Sequence, residues 1–541
     1  SRRSLGSPRL AAAMAVRREE CDVVVVGGGF SGLAAALAIR TAHPQLTIRL
    51  LEARSRVGGR VENAFEQYST PDGRTVDARV DVGGAYVGPT QDRLLKLARR
   101  MGVRTYKLYN SQGSHVMDLS PHSTDRREYS GTIPPLGILG LLDSNALLRE
   151  TDRMAFDLDP DAAWDHPKAA EWDKMTVQDF FDQHCWDRGT KELCSLTVRT
   201  ILCKEPKEVS LLYWLRYIRS GQGIIRLAEA ENGAQERKFV EGSATICDRV
   251  ADELGRGDTV LLDHPVSVIR RDEDRVVVTA TPHGKPVQFV ARRVIMAVPP
   301  NLYTPPPPPA EPTPLVTFDP PLPPAKANVF KAHTMGKIIK TVMFYDRAFW
   351  RDHGHSGMTL SHGDGGPIAL TYDDSGPKCE HPAIMGFLLA GQHRQHADTT
   401  KEERKAAITA QYARLFGSDE ALRPVHYVER DWTAEKFSGG CYVASTAPEA
   451  LTRYGSALRR PVGAVHFAGT ELASKWTGYM DGAIESGERA AAEVLTSLGL
   501  GDTVAPPPVE EDLECTARPN NDAIIQWLPT VPQTGGIVVA A

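Results

Sequence analysis

Residues 22–52 constrain what this chain can fold into more than any other stretch. Asp22-Val-Val-Val-Val26 has the continuous β-branched, apolar character of a strand buried in a parallel sheet. Gly27-Gly-Gly-Phe-Ser-Gly32 follows directly, with Gly27, Gly29 and Gly32 at its first, third and sixth places. Residues 33–39 then favour helix, residues 47–51 read as a second strand, and Glu52 closes it 20 positions beyond Gly32. The glycines permit a tight turn and close approach of a pyrophosphate, while the helix N-terminus offers it N–H groups. The acid is placed for a ribose 2′-hydroxyl. A glycine triplet alone is weak evidence; strand, glycines, helix, strand and acid in register point to a dinucleotide site. The bland alternative is an ordinary βαβ unit with a glycine turn.

Composition narrows the class. The 541 residues suffice for more than one domain, and 41% hydrophobic with 24% charged residues is ordinary for a globular protein. A formal net charge of −5 argues against nucleic acid as a general partner. The eight cysteines include no C-x-x-C pair, which argues against a disulfide framework or zinc signature and favours a reducing compartment. His353, His355 and His362 fall in a Gly-rich loop where ligation would need supporting acids, so no metal is expected. No run approaches the roughly 18 apolar residues of a membrane span, so the chain as given lacks one. Residues 1–20 read as an extension. Its first 13 residues are basic and acid-free like a transit peptide, but Met14 just before the domain favours a chain that starts upstream of the true beginning.

Further along, a Gly-rich loop at 81–91 leads into a helix over 92–101. From about Lys107 to Leu227 helical patterns dominate, with Thr176 and Ser210 as N-caps. Tyr213, Trp214 and Tyr217 read as core packing rather than a substrate box. Strands are expected at 260–262, 266–269, 276–280 and in 292–300. Residues 304–324 are Pro-rich and read as an extended loop or linker. Residues 337–345 and 384–390 suggest a second sheet, and 402–416 a helix.

Beyond Glu52 the chain continues Ala-Arg54-Ser-Arg-Val-Gly-Gly59-Arg60, a basic extension that NAD sites do not need. It resembles the start of the flavin-binding amine oxidase family, in which the second glycine pair and its arginine wrap the FAD diphosphate; FAD is the expected cofactor. Ser438-Gly-Gly-Cys-Tyr442 is similar to the pentapeptide of monoamine oxidases, and the resemblance implies an 8α-S-cysteinyl link from Cys441 to the flavin. Alone, that cysteine would read as a small buried hydrophobe. Gly469-Thr470-Glu471, followed by 476–487 with Met480, resembles the family's second FAD motif near the flavin N1–C2 carbonyl. Tyr442 and Tyr479 match the two tyrosines of the family's aromatic cage, whose ring faces attract an amine nitrogen. Lys340, in Gly336-Lys-Ile-Ile-Lys340, matches the lysine that holds a water near flavin N5 and is linked to O₂ reactivity. Trp432 matches a tryptophan beside the flavin, and Val266 joins the implied cofactor set. The resemblance runs from about residue 21 to 498.

The same resemblance implies that Tyr86, Ile201, Ala228, Gln235 and Leu370 line the substrate pocket. Ala228 stands where the family has a bulky gate, Leu370 where it has Ile or Tyr, and Ile201 where it has Cys or Asn. The small Ala228 predicts one continuous cavity rather than two chambers. The implied fold is α/β: a doubly wound FAD-binding domain with an interleaved α+β substrate domain. The FAD-binding parts are 21–100, 228–303 and 431–498, the substrate parts 101–227 and 304–430, and 499–541 is a tail. The implied reaction is oxidative deamination of primary arylalkylamines with O₂; a polyamine or L-amino-acid oxidase and a non-catalytic flavoprotein are the alternatives. A homodimer on the cytosolic face of the mitochondrial outer membrane is implied by resemblance only. Residues 526–532 resemble the segment before the family's membrane helix, whereas 535–541 are too short to span a bilayer.

Overall fold

The computed structural model describes residues 16–119, 126–132, 134–272, 274–304, 315–362, 365–501 and Cys515. The start of the N-terminal extension, the proline run at 305–309 and the segment at 526–532 lie outside the described residues.

The β-branched run forms the inner end of a longer strand, Arg17–Val26, in which Val23–Val26 are at most 3% exposed. Full burial of each such side chain contributes about 1.5–3 kcal/mol. This strand pairs in parallel with Ile48–Leu51 on one side and Val287–Met296 on the other. Val260–Leu261 and Val465–Phe467 add further parallel pairs. Val276–Ala280 and Val266–Arg271 continue the eight-stranded sheet as an antiparallel meander. Its edge is Thr317–Asp319, so part of the stretch expected to be a Pro-rich loop is a strand. The residues between the prolines explain this: buried Val316 and the ring of Phe318 pack on the sheet core, and an edge position tolerates the prolines that follow.

The helices Phe30–Ala42 and Met480–Ser497 lie together in one core cluster on this sheet. Their close approach requires Gly487, where a Cβ would sit 2.2 Å from the Ser31 carbonyl oxygen.

A second, seven-stranded sheet runs His426–Asp431, Ile338–Phe344, Ala383–Leu389, Leu370–Asp373, His355–Ser361, Ser114–Asp118, Arg127–Tyr129. The strands expected near 340 and 387 are antiparallel neighbours, with Lys340 opposite Phe387. Two strands here come from the stretch read as mainly helical. Ser114–Asp118 is held by parallel pairing to His355–Ser361, a contact some 240 residues distant in sequence that local pattern does not announce. The same pairing takes His355 out of the expected loop and into a strand. Thr176 caps Val177–His184 with a reciprocal capping box, and Ser210 caps Leu211–Ser220. Tyr213, Trp214 and Tyr217 are all buried in the helical core. Chain order alternates between the two sheets. Among the described residues no helix is long and apolar enough to cross a membrane.

Candidate active site

The first turn is built for close approach of a ligand. A Cβ on Gly32 would lie 1.9 Å from the Gly27 carbonyl oxygen, so no larger residue fits. Gly29 caps the following helix without a side-chain bond, which leaves first-turn N–H groups for an anion. Glu52 is buried and receives the Gly28 N–H at 2.7 Å and the Arg54 N–H at 2.9 Å, one on each oxygen. A carboxylate so held keeps acceptor capacity for a ribose hydroxyl. The second glycine pair meets the first: the Gly58 N–H donates to Gly28 O at 2.8 Å, and a Cβ on Gly59 would touch Gly29 Cα at 3.4 Å. Val266 opens a strand just after Asp263 and His264, whose N–H groups donate to Arg54 O and Glu52 O at 3.0 and 2.8 Å. A cradle that a Cβ would fill, an uncapped helix end and a buried acid together fit a dinucleotide such as FAD.

The second half of the site is clamped to the first. Arg60 forms a bidentate pair with Glu471 at 2.6 and 3.1 Å and donates to the Tyr442 carbonyl oxygen at 2.8 Å. Burial works against both charges, but each outweighs it for the other: the Arg60 pKa is raised and that of Glu471 lowered. Glu471 lies in the turn Thr470–Leu472 after Gly469, and its Oε1 also accepts the Ala444 N–H at 3.1 Å. Arg54 reaches Ser438 Oγ at 3.0 Å. The Trp432 indole donates to Val82 O at 2.8 Å. Cys441 is buried, and burial pushes its thiol up to about 12. Its N–H donates to Gly336 O at 3.2 Å, and Gly336 must be glycine because a Cβ would sit 2.5 Å from Cys441 O. The Cys441–Tyr442 peptide bond is cis.

A cavity of about 440 Å³ brings together Tyr442, Tyr479, Tyr86, Ile201, Ala228, Gln235 and Leu370, with Gly83, Gly84 and Met480 also in its lining. The same cavity runs on to Asn110, Thr132 and Pro134, with Ala228 and Leu370 among its lining residues. Tyr479 packs edge-on against Trp476 at 4.9 Å, and its carbonyl accepts from Thr470 Oγ1 at 2.8 Å. Tyr442 packs edge-on against Phe387 at 5.8 Å. Lys340 is not in the cavity lining; its buried Nζ donates to Gly83 O at 2.9 Å from behind. Burial, then the charge of Lys238, brings Lys340 down to about 8. Tyr217 is both core and site: its ring lies 6.1 Å from that of Tyr479, and it lines the cavity.

Three features escaped sequence reading. Asp481 Oδ1 accepts the Leu94 N–H at 2.9 Å and so caps a second helix, Asp92–Arg100; burial pushes it up to about 7. Lys238, beneath Tyr86, is paired with Asp81 and Asp374. Glu229 lines the cavity. The contacts of the first two cross more than a hundred residues of sequence, and the surroundings of Glu229 are set by distant strands. An acid in the first turn of a helix is the only local signal among them.

Cradle, clamp and aromatic cavity together are the apparatus of a flavin-dependent oxidoreductase. The family described as flavin containing amine oxidoreductase matches residues 30–495. The flavin-containing amine oxidase A of Equus caballus is 42% identical over 482 residues, 88% of this chain and 85% of its own. A flavin-containing amine oxidase of Danio rerio is 40% identical over 524 residues, covering 96% and 94%. Among solved structures, a putrescine oxidase bound to putrescine aligns with a TM-score of 0.79 at 29% identity, over 88% of this chain and 100% of that one. Cyclohexylamine oxidase from Brevibacterium oxydans IH-35A aligns with a TM-score of 0.78 at 29% identity, over 89% and 100%. The chain belongs to the flavin-containing amine oxidase family. It is an amine oxidase with an α/β FAD-binding fold, related to amine oxidases A and B.

Proposed function

We propose that this amine oxidase deaminates primary arylalkylamines to the aldehyde and ammonia, with O₂ as acceptor and hydrogen peroxide as product. One observation carries the reading: Tyr442 and Tyr479 share one largely apolar cavity with the Gly83–Gly84 strip, whose Gly83 carbonyl accepts from Lys340. Bound FAD would supply the two-electron acceptor for oxidation of the amine. Gly27, Gly29, Gly32, Glu52, Arg54, Gly59 and Arg60 would hold its dinucleotide part; Val266, Trp432, Gly469, Thr470, Glu471 and Met480 complete the proposed contacts. The tyrosine faces attract and orient the amine nitrogen, and the apolar wall strips it of water. Lys340, with a pKa brought to about 8, holds or yields a proton at Nζ near neutral pH.

We place the flavin in covalent linkage to Cys441. Acid denaturation tests this: flavin stays with the wild-type polypeptide and leaves the Cys441→Ala variant. Flavin released from both would make Cys441 only a packed residue. A peroxide assay tests the substrate class; tyramine is expected to be oxidised, whereas turnover confined to spermine or to amino acids would overturn the arylalkylamine reading. A homodimer at the mitochondrial outer membrane follows from family resemblance, and subcellular fractionation checks it.

A further inference from the structure

The cavity carries an acid that deamination of a simple monoamine does not use. Glu229 is the C-cap of the short helix Ile224–Ala228 and lines the cavity with Tyr129 and Tyr372. Ala228, its neighbour, is too small to cover it. Among the described residues the Glu229 carboxylate has no hydrogen-bond or ion-pair partner. Its charge, after burial, is the next cause raising the phenol pKa of both Tyr129 and Tyr372. Tyr372 lines the same cavity as Tyr442 and Tyr479, and its ring lies 5.5 Å from that of Tyr86.

Among the described residues no cation pairs with this acid. The titratable groups around it are Tyr129, Tyr372 and Glu231, and His115 packs against Tyr129 at 5.1 Å. Arg226, on the same helix, is committed to Asn232, and Lys340 donates to Gly83. Burial first, and then Glu231, push Glu229 up to about 7. Glu229 is half-buried in a largely apolar wall, so a cation that reaches it meets a carboxylate only partly screened by water.

We propose that Glu229 determines specificity by binding a second, distal cationic group on the substrate, so that the cavity prefers diamines to monoamines of the same shape. This rests on the amine oxidase reading of the same cavity. The amine to be oxidised lies at Tyr442 and Tyr479, and the distal ammonium pairs with Glu229.

The test uses the holoenzyme and peroxide release. The ratio of kcat/KM for p-xylylenediamine over 4-methylbenzylamine, and for 1,6-diaminohexane over hexylamine, is measured from pH 6 to 8. The ratio is expected to exceed about tenfold. It rises with pH as Glu229 ionises, and it collapses in Glu229→Gln through KM. The wild-type pH series stands on its own should the variant fold poorly. A wild-type ratio near one, or a ratio unchanged by Glu229→Gln, overturns the inference while monoamine turnover still upholds the family reading. Absence of turnover with every amine overturns both.

Discussion

At the residue scale, single atoms decide whether the site exists. A methyl group on Gly32 has no room against the Gly27 carbonyl. Gly32→Ala is therefore expected to purify with little or no flavin, measured as the flavin-to-protein absorbance ratio. A normal flavin content would mean that the turn relaxes and that the cradle is less tightly set than its contacts imply. Leu370 lines the cavity. Leu370→Tyr should weaken bulky inhibitors by about tenfold while sparing small ones, as overpacking does in a fitted space. Equal inhibition constants across a size series would count against one continuous chamber. Gly27, Gly29, Gly32 and Glu52 were legible in sequence because a phosphate-binding turn imposes local steric rules on adjacent residues. Glu229 was not, because a carboxylate acquires its meaning from the distant walls around it.

At the element scale, packing between helices and sheets holds the halves of the site in register. In Gly487→Ala the added carbon meets Ser31 O, which drives the C-terminal helix away from the one that faces the cradle. A loss of about 1–3 kcal/mol in urea unfolding is expected, with weaker flavin retention. Lys204 follows the helix Arg188–Leu202 and donates to Thr334 Oγ1 at 2.6 Å and Ser445 O at 3.1 Å. It ties that helix to the two-stranded sheet of His333–Met335 and Ala444–Thr446, next to Tyr442. Burial lowers Lys204 from 10.5 to about 8. Between those values the unfolded chain binds more protons than the folded one, so stability rises with pH across that window. Below about 8 the full cost of the buried charge is present. Lys204→Met should remove on the order of 1–3 kcal/mol of this rise. The measurement is the difference between variant and wild-type unfolding at pH 7.5 and 10; parallel pH curves would sink the idea. The main helices and the strand pair around Lys340 were legible from periodicity. Ser114–Asp118, Arg127–Tyr129 and Thr317–Asp319 were not, since short strands are defined by partners far along the chain.

At the scale of the whole molecule, the chain alternates between two sheets, and the site takes its glycine cradle from the first and much of its cavity wall from the second. Neither half can unfold without tearing segments from the other. Thermal unfolding of the holoenzyme should then be one transition, with near-UV circular dichroism and flavin fluorescence changing together. Two separated transitions would show that the sheets unfold independently. In Cys441→Ala, added FAD should raise Tm in a concentration-dependent way, as a ligand of the native state must.

While the motif residues at 340, 441–442, 469–471 and 479 were legible only through resemblance to a family, the sequence alone determined the glycine turn, the buried opening strand and the capped helices. Those features obey rules that act over a few residues: steric freedom at glycine, apolar period and hydrogen-bond capping. Only the tertiary structure decided that Arg60 would lock onto Glu471, that Lys340 would donate to Gly83, and that Glu229 would stand in the cavity wall. Those outcomes depend on burial and on which charges meet after the chain has crossed between its sheets, and neither is encoded in any local pattern.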